Sequence, residues 1–94
     1  MNVFDQIVTK IIKEQALIIG PLAWYQAGKV PGIHVVNQKP GEATIEGSDR
    51  QTVVNTLVSK YESLFGLTAR EVAKEAVGSI LADLSPSDVP SSLR

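Results

Sequence analysis

The chain predicts an α+β domain in the order helix, short helix, strand, strand, helix, helix. The two strands form an antiparallel hairpin packed against the helices. Three observations predict this. Apolar doublets recur four residues apart in the first twenty positions, the spacing of a helix face. A Pro-Gly turn at Pro40-Gly41 separates two short runs of strand-forming residues. Two later segments read as amphipathic helices, each opened by a capping-box pattern, Ser48-Asp49-Arg50-Gln51 and Thr68-Ala69-Arg70-Glu71.

The first helix is expected from about Val3 to Ile19, with Asn2 as its cap. Val3-Phe4, Ile7-Val8, Ile11-Ile12 and Ile18-Ile19 cover roughly half of the helical wheel, against the ~100° stripe of an ordinary surface helix. A stripe that wide needs more than one neighbour. Either the helix is central to the domain or part of its face meets a second chain. Gln15 interrupts the middle of the stripe, and a buried amide needs partners. Leu17 is the converse, an apolar residue on the polar side.

Gly20 stops this helix and Pro21 suits the start of the next, which spans Leu22 to Ala27 and ends at Gly28. Ile33 to Gln38 and Ala43 to Gly47 read as the strands. Lys39-Pro40-Gly41-Glu42 reads as a type II turn. An L-Pro-Gly pair fits a tight two-residue hairpin poorly, so a longer loop or a bulge is expected. The third helix runs from about Asp49 to Phe65 and the fourth from about Ala69 to Leu84. The short link Gly66-Leu67-Thr68 makes them neighbours. Residues 1–84 are read as one domain. Residues 85–94, rich in Pro and Ser, are read as a partly ordered tail that frays.

The chain has 94 residues, 44% hydrophobic and 20% charged, which is ordinary globular usage and argues against disorder. Cysteine is absent, so disulfides, thiolate metal sites and cysteine nucleophiles are excluded together, and a cytoplasmic setting is expected. Nine Lys and Arg face ten Asp and Glu. Nucleic-acid binding is not favoured by that balance, because phosphate neutralisation needs a basic excess. The longest apolar stretch, Ala16 to Tyr25, contains Gly20 and Pro21 and is about half of the ~20 residues a membrane span needs. No leader peptide and no membrane association are expected.

No residue cluster specifies a reaction. His34 is the one histidine; a general base needs a partner and a pocket, and a metal site needs further ligands. Glu71 and Glu75 share a helix face, but Lys74 lies beside them, as on a solvated surface. No phosphate-binding glycine pattern, calcium loop or Gly-x-Ser-x-Gly sequence occurs. The chain is therefore read as a non-enzyme, with no catalytic, cofactor-binding or metal-binding residue assigned and no cofactor.

The favoured function is a protein–protein interaction module that self-associates, expected as a homodimer. The excess apolar face of the first helix and the two-stranded sheet, marginal unless covered, both call for a neighbour. Trp24 and Tyr25 are adjacent and point ~100° apart on a helix, so both cannot enter one core equally. The candidate interface is Phe4, Ile7, Ile11, Gln15, Ile18, Trp24 and Tyr25. Two alternatives stand beside it. One is a small DNA-binding regulator with Tyr61–Val77 as a helix-turn-helix. The other is a small-ligand sensor with a pocket between the hairpin and the first helix.

Overall fold

A computed structural model describes residues 2–38, 41–47 and 49–94. The elements follow in the expected order: α1 (Val3–Ile19), α2 (Leu22–Gly28), β1 (Ile33–Asn37), β2 (Glu42–Ile45), α3 (Arg50–Phe65) and α4 (Thr68–Leu81). Asn2 caps α1 as expected, its Oδ1 accepting from Asp5 N at 2.9 Å. Gly20 ends the helix at φ +75°, with its N–H donating to Ala16 O.

The width of the α1 stripe is explained within one chain. This helix touches α2, β2, α3 and α4. Ile7, Val8, Ile11 and Ile12 are fully buried among them. Each such side chain contributes roughly 1.5–3 kcal/mol relative to exposure.

The hairpin pairs Ile33 with Ile45, His34 with Thr44 and Val35 with Ala43. The register then slips between Val35 and Asn37, the irregularity expected from the turn sequence. Lys39 and Pro40 lie outside the described residues, and with them most of the proposed type II turn. Gly41 is needed twice over. Its φ is +104°, and a Cβ there would meet Cζ2 of Trp24 at 2.8 Å. Trp24 thereby fills the seam between α1, α2 and the hairpin turn.

The outer edge of β2 is closed by side chains of α1. Thr9 Oγ1 accepts from Ala43 N and donates to Ala43 O, both at 3.0 Å. One turn earlier, Asp5 Oδ1 accepts from Ile45 N at 2.8 Å. The i, i+4 spacing of Asp5 and Thr9 puts both on one helix face. Two residues of a strand carry outward-facing backbone groups on the same side, so one turn of helix reaches both.

Both helix starts differ from expectation. Asp49 is the cap of α3: its Oδ1 accepts from Thr52 N at 3.1 Å and its Oδ2 from Thr52 Oγ1 at 2.7 Å. Ser48, the expected cap, lies outside the described residues. The Asp49 carboxyl is held below its ordinary value by the Thr52 hydroxyl first and the Thr52 N–H second. Thr68 does not cap α4. Gly66 closes α3 at φ +91° and the new helix springs directly from it. Leu67 is the flanking residue, and Ala69 N and Arg70 N bond to Gly66 O and Leu67 O. Thr68 is already helical, so its side chain cannot reach back as a cap.

The residues after α4, expected to fray, pack instead. Pro86–Asp88 and Ser91–Leu93 form two single 3-10 turns. Pro90 is fully buried and Leu93 joins the core. Asn55 Oδ1 accepts from Ser92 N at 3.0 Å and from Ser92 Oγ at 2.6 Å. No helix among the described residues is long and apolar enough to cross a membrane.

Candidate functional site

Five of the seven expected interface residues are unavailable or only partly available to a partner. Ile7 and Ile11 are fully buried, and Trp24 is buried against Gly41. Phe4 is half-buried against the core. Gln15, 2% exposed, donates through Nε2 to Ala69 O at 2.8 Å. The amide that interrupts the stripe therefore ties α1 to the first turn of α4, and the expectation that it faces another subunit is corrected. Only Ile18 and Tyr25 remain exposed, at 64% and 60%. The Tyr25 ring carries Lys29 Nζ at 4.5 Å, a cation–π contact on the surface.

Exposed apolar residues collect elsewhere, where the last turn of α1 meets the α3–α4 corner. Leu17 is 81% exposed, Leu64 50% and Leu67 77%. A groove of about 290 Å³ is lined by Gln15, Ile18, Ile19, Phe65, Thr68, Ala69 and Val72, of which Phe65 and Thr68 adjoin Leu64 and Leu67 in sequence, whereas Leu17 lines a separate recess with Trp24 and Gln38. No charged side chain lines the groove. The corner itself is pinned by packing and charge. The rings of Tyr61 and Phe65 lie 6.4 Å apart between centroids. Tyr61 Oη donates to Ala23 O at 2.6 Å, and burial raises its pKa. Arg70 Nε sits 2.9 Å from Glu62 Oε2 across the corner. That contact is ionic without good hydrogen-bond alignment.

Leu64 and Leu67 are the residues that sequence reasoning missed. Leu64 falls in the apolar stripe of α3, where periodicity assigns it to the core. Leu67 lies in a three-residue link. No local pattern in the sequence distinguishes either from a core or a link residue.

The other candidate groups lie apart. His34 is exposed on the outer face of β1, and its side chain has no hydrogen bond to a described residue. Among the described residues, no three His, Asp or Glu side chains come together as a metal site. Between α1 and β2, where a ligand pocket was expected, Thr9 and Asp5 bond the strand directly. A recess of about 240 Å³ does adjoin the hairpin's turn end, lined by Lys10, Lys13, Glu14, Ala16, Leu17, Trp24 and Gln38. In the helix-turn-helix alternative, Arg70 is engaged by Glu62 while Glu71 and Glu75 are exposed.

No family model matches the chain, and comparisons with curated proteins and with solved structures return no match.

Proposed function

We propose that this chain is a non-enzymatic protein–protein interaction module that self-associates through the end formed by α1 and the α3–α4 corner. One observation carries the reading. Ile18, Leu64 and Leu67 are each half or more exposed; Ile18 lines an uncharged groove whose residues Phe65 and Thr68 adjoin Leu64 and Leu67 in sequence. Contiguous apolar surface of several hundred Å² is rare on a monomer and marks interaction sites. A two-fold pairing places the same patch on both partners. An uncharged patch meets its own copy without like-charge repulsion, which supports a second copy as the occupant. The DNA-binding alternative is less well supported, because one of its two cations on α4 is already paired with Glu62. The cysteine-free composition fits a cytoplasmic setting.

Sedimentation equilibrium at micromolar concentration tests this. The native chain is expected at twice the 10.1 kDa monomer mass. Leu67→Asp and Ile18→Asp are expected at the monomer mass with an unchanged circular-dichroism spectrum. A native chain that stays at the monomer mass across the concentration range overturns the proposal.

A further inference from the structure

We infer that the free edge of β1 is a docking site for an extended segment of another protein, added to the hairpin as a third strand and carrying one acidic side chain. The register decides which backbone groups are free. Ala43 and Ile45 turn theirs outward to Thr9 and Asp5. Their β1 partners Val35 and Ile33 therefore turn theirs to the opposite edge. Ile33 N–H is taken by Val30 O at 3.1 Å. Ile33 O, Val35 N–H and Val35 O bond no described residue. Side chains of α1 seal the β2 edge, and no described side chain does the same for β1. The strand Ile33–Asn37 also contains no charged residue and no proline, which are common guards of an exposed edge. Its irregularity after Val35 keeps the open stretch short, which suits one added segment and not a growing sheet.

The surroundings of this edge specify the partner's chemistry. α2 lies under the inner face of β1, since a Cβ at Gly28 would meet Val35 Cγ2 at 3.9 Å. Tyr25 is three positions earlier and shares that side of α2. It is 60% exposed, and Lys29 Nζ stands 4.5 Å from its ring centroid. Lys29 has no carboxylate partner among the described residues. An added strand sends its inner-face side chains over the Tyr25 ring and toward this unpaired cation, which an Asp or Glu meets. On the outer face Val36, 48% exposed, offers apolar cover to a β-branched side chain. The same cation argues against a second copy as the occupant. Two β1 strands paired about Val35 would bring both Lys29 side chains beneath the joined edge, like charge against like. In strand addition the main-chain bonds supply affinity and the alternate side chains supply selectivity. The surface shares no residue with the self-association end and stands independently of it.

The probe is the end-capped peptide Thr-Val-Glu-Val-Thr, titrated into the isotopically labelled chain and followed by amide NMR and hydrogen exchange. Saturable shifts are expected over Ile33–Val36 and at Lys29, with exchange at Val35 N–H slowed by about tenfold or more at saturation. Two analogues carry N-methyl groups on alternate amides, the odd set or the even set. One of them loses its bonds to the edge and is expected to bind about tenfold more weakly. The other keeps those bonds and is expected to match the parent. A peptide with Lys in place of Glu is expected to bind about two- to fivefold more weakly. Lys29→Glu, at an exposed position, is expected to reverse that preference. The same results are expected in Leu67→Asp, so a failure of self-association does not affect them. Shifts centred elsewhere, absence of saturation, or equal binding of the parent and both analogues overturns the proposal. A preference that Lys29→Glu does not reverse overturns the acidic partner. Slow Val35 exchange in the free chain that quickens on dilution gives the edge to a second copy and overturns the proposal as well.

Discussion

The two ends of α1 carry the same doublets of apolar residues and meet opposite surroundings. Over Ile7-Val8 and Ile11-Ile12 the helix is enclosed on every apolar side. Over Leu17-Ile18 it projects past its neighbours into solvent. Polar residues follow the same division. Asp5 and Thr9 serve the hairpin edge, while Gln15, near the open end, is bonded through Nε2 to Ala69 O of α4. Periodicity therefore marks which residues want cover. Whether they receive it depends on how far the other elements extend.

The strongest way to break this comparison is Ile11→Ala. A fully buried side chain cut to a methyl group at the closed end is expected to cost about 2–5 kcal/mol, read as a lowered midpoint in urea. A loss below 1 kcal/mol would mean that the closed end is not packed as described. Thr9→Val keeps the shape and removes the hydroxyl, leaving both Ala43 backbone groups unpaired at the β2 edge. About 1–3 kcal/mol is expected, with faster hydrogen exchange at Ala43. Gln15→Leu at the boundary is expected to cost about 1 kcal/mol, the low end, because a carbonyl has two lone pairs and Ala69 O has a place in the α4 ladder. That loss is expected to be independent of protein concentration. A change in self-association without loss of stability would return Gln15 to an intersubunit role.

The Asp49 cap sharpens the contrast from outside α1, since it lies wholly in solvent. Its folded pKa is depressed below the ordinary 3.8. Its contribution is therefore present above the unfolded value and lost as pH falls through the folded one. Amide exchange at Thr52 is expected to quicken on acidification in that window. In Asp49→Asn, which cannot titrate, this step is expected to vanish. The smallest effect is expected from Ile18→Ala at the open end. Its monomer stability should change by no more than about 0.5 kcal/mol, measured at concentrations too low for association.

The fold was legible because its signals were local. Doublets four apart, Gly20-Pro21, the Pro-Gly turn and Gly66 each mark an element or its end without reference to distant residues. The hairpin irregularity followed from turn chemistry in the same way. The candidate site was far less legible. Gln15 finds Ala69, 54 residues away, and no spacing rule reports that pairing. Its position inside the stripe was visible, but its partner was not. Trp24 was read as an interface candidate because it and Tyr25 cannot both enter one core equally. Its actual cover is Gly41, across the hairpin turn. The C-terminal segment was misread for a related reason. Pro and Ser dominate its composition, and the anchors Pro90, Ser92 and Leu93 act through α3. Capping boxes failed differently: the pattern was present, but Gly66 lets α4 begin one residue sooner than its Thr can cap.

The closure of β2 by Asp5 and Thr9 bears on how the chain behaves when it is only partly folded. Ala43 and Ile45 have outward backbone groups whose partners belong to α1, 34 and 40 residues away. The hairpin cannot complete its bonding from local contacts, and closing so long a loop slows assembly. A transient opening that lifts α1 from the hairpin uncovers bare N–H and C=O groups beside Ile45 and the core. Such an edge is a template for intermolecular strand pairing. Resistance to aggregation in this molecule thus depends on the residence time of one helix, held there in part by a single hydroxyl and a single carboxylate.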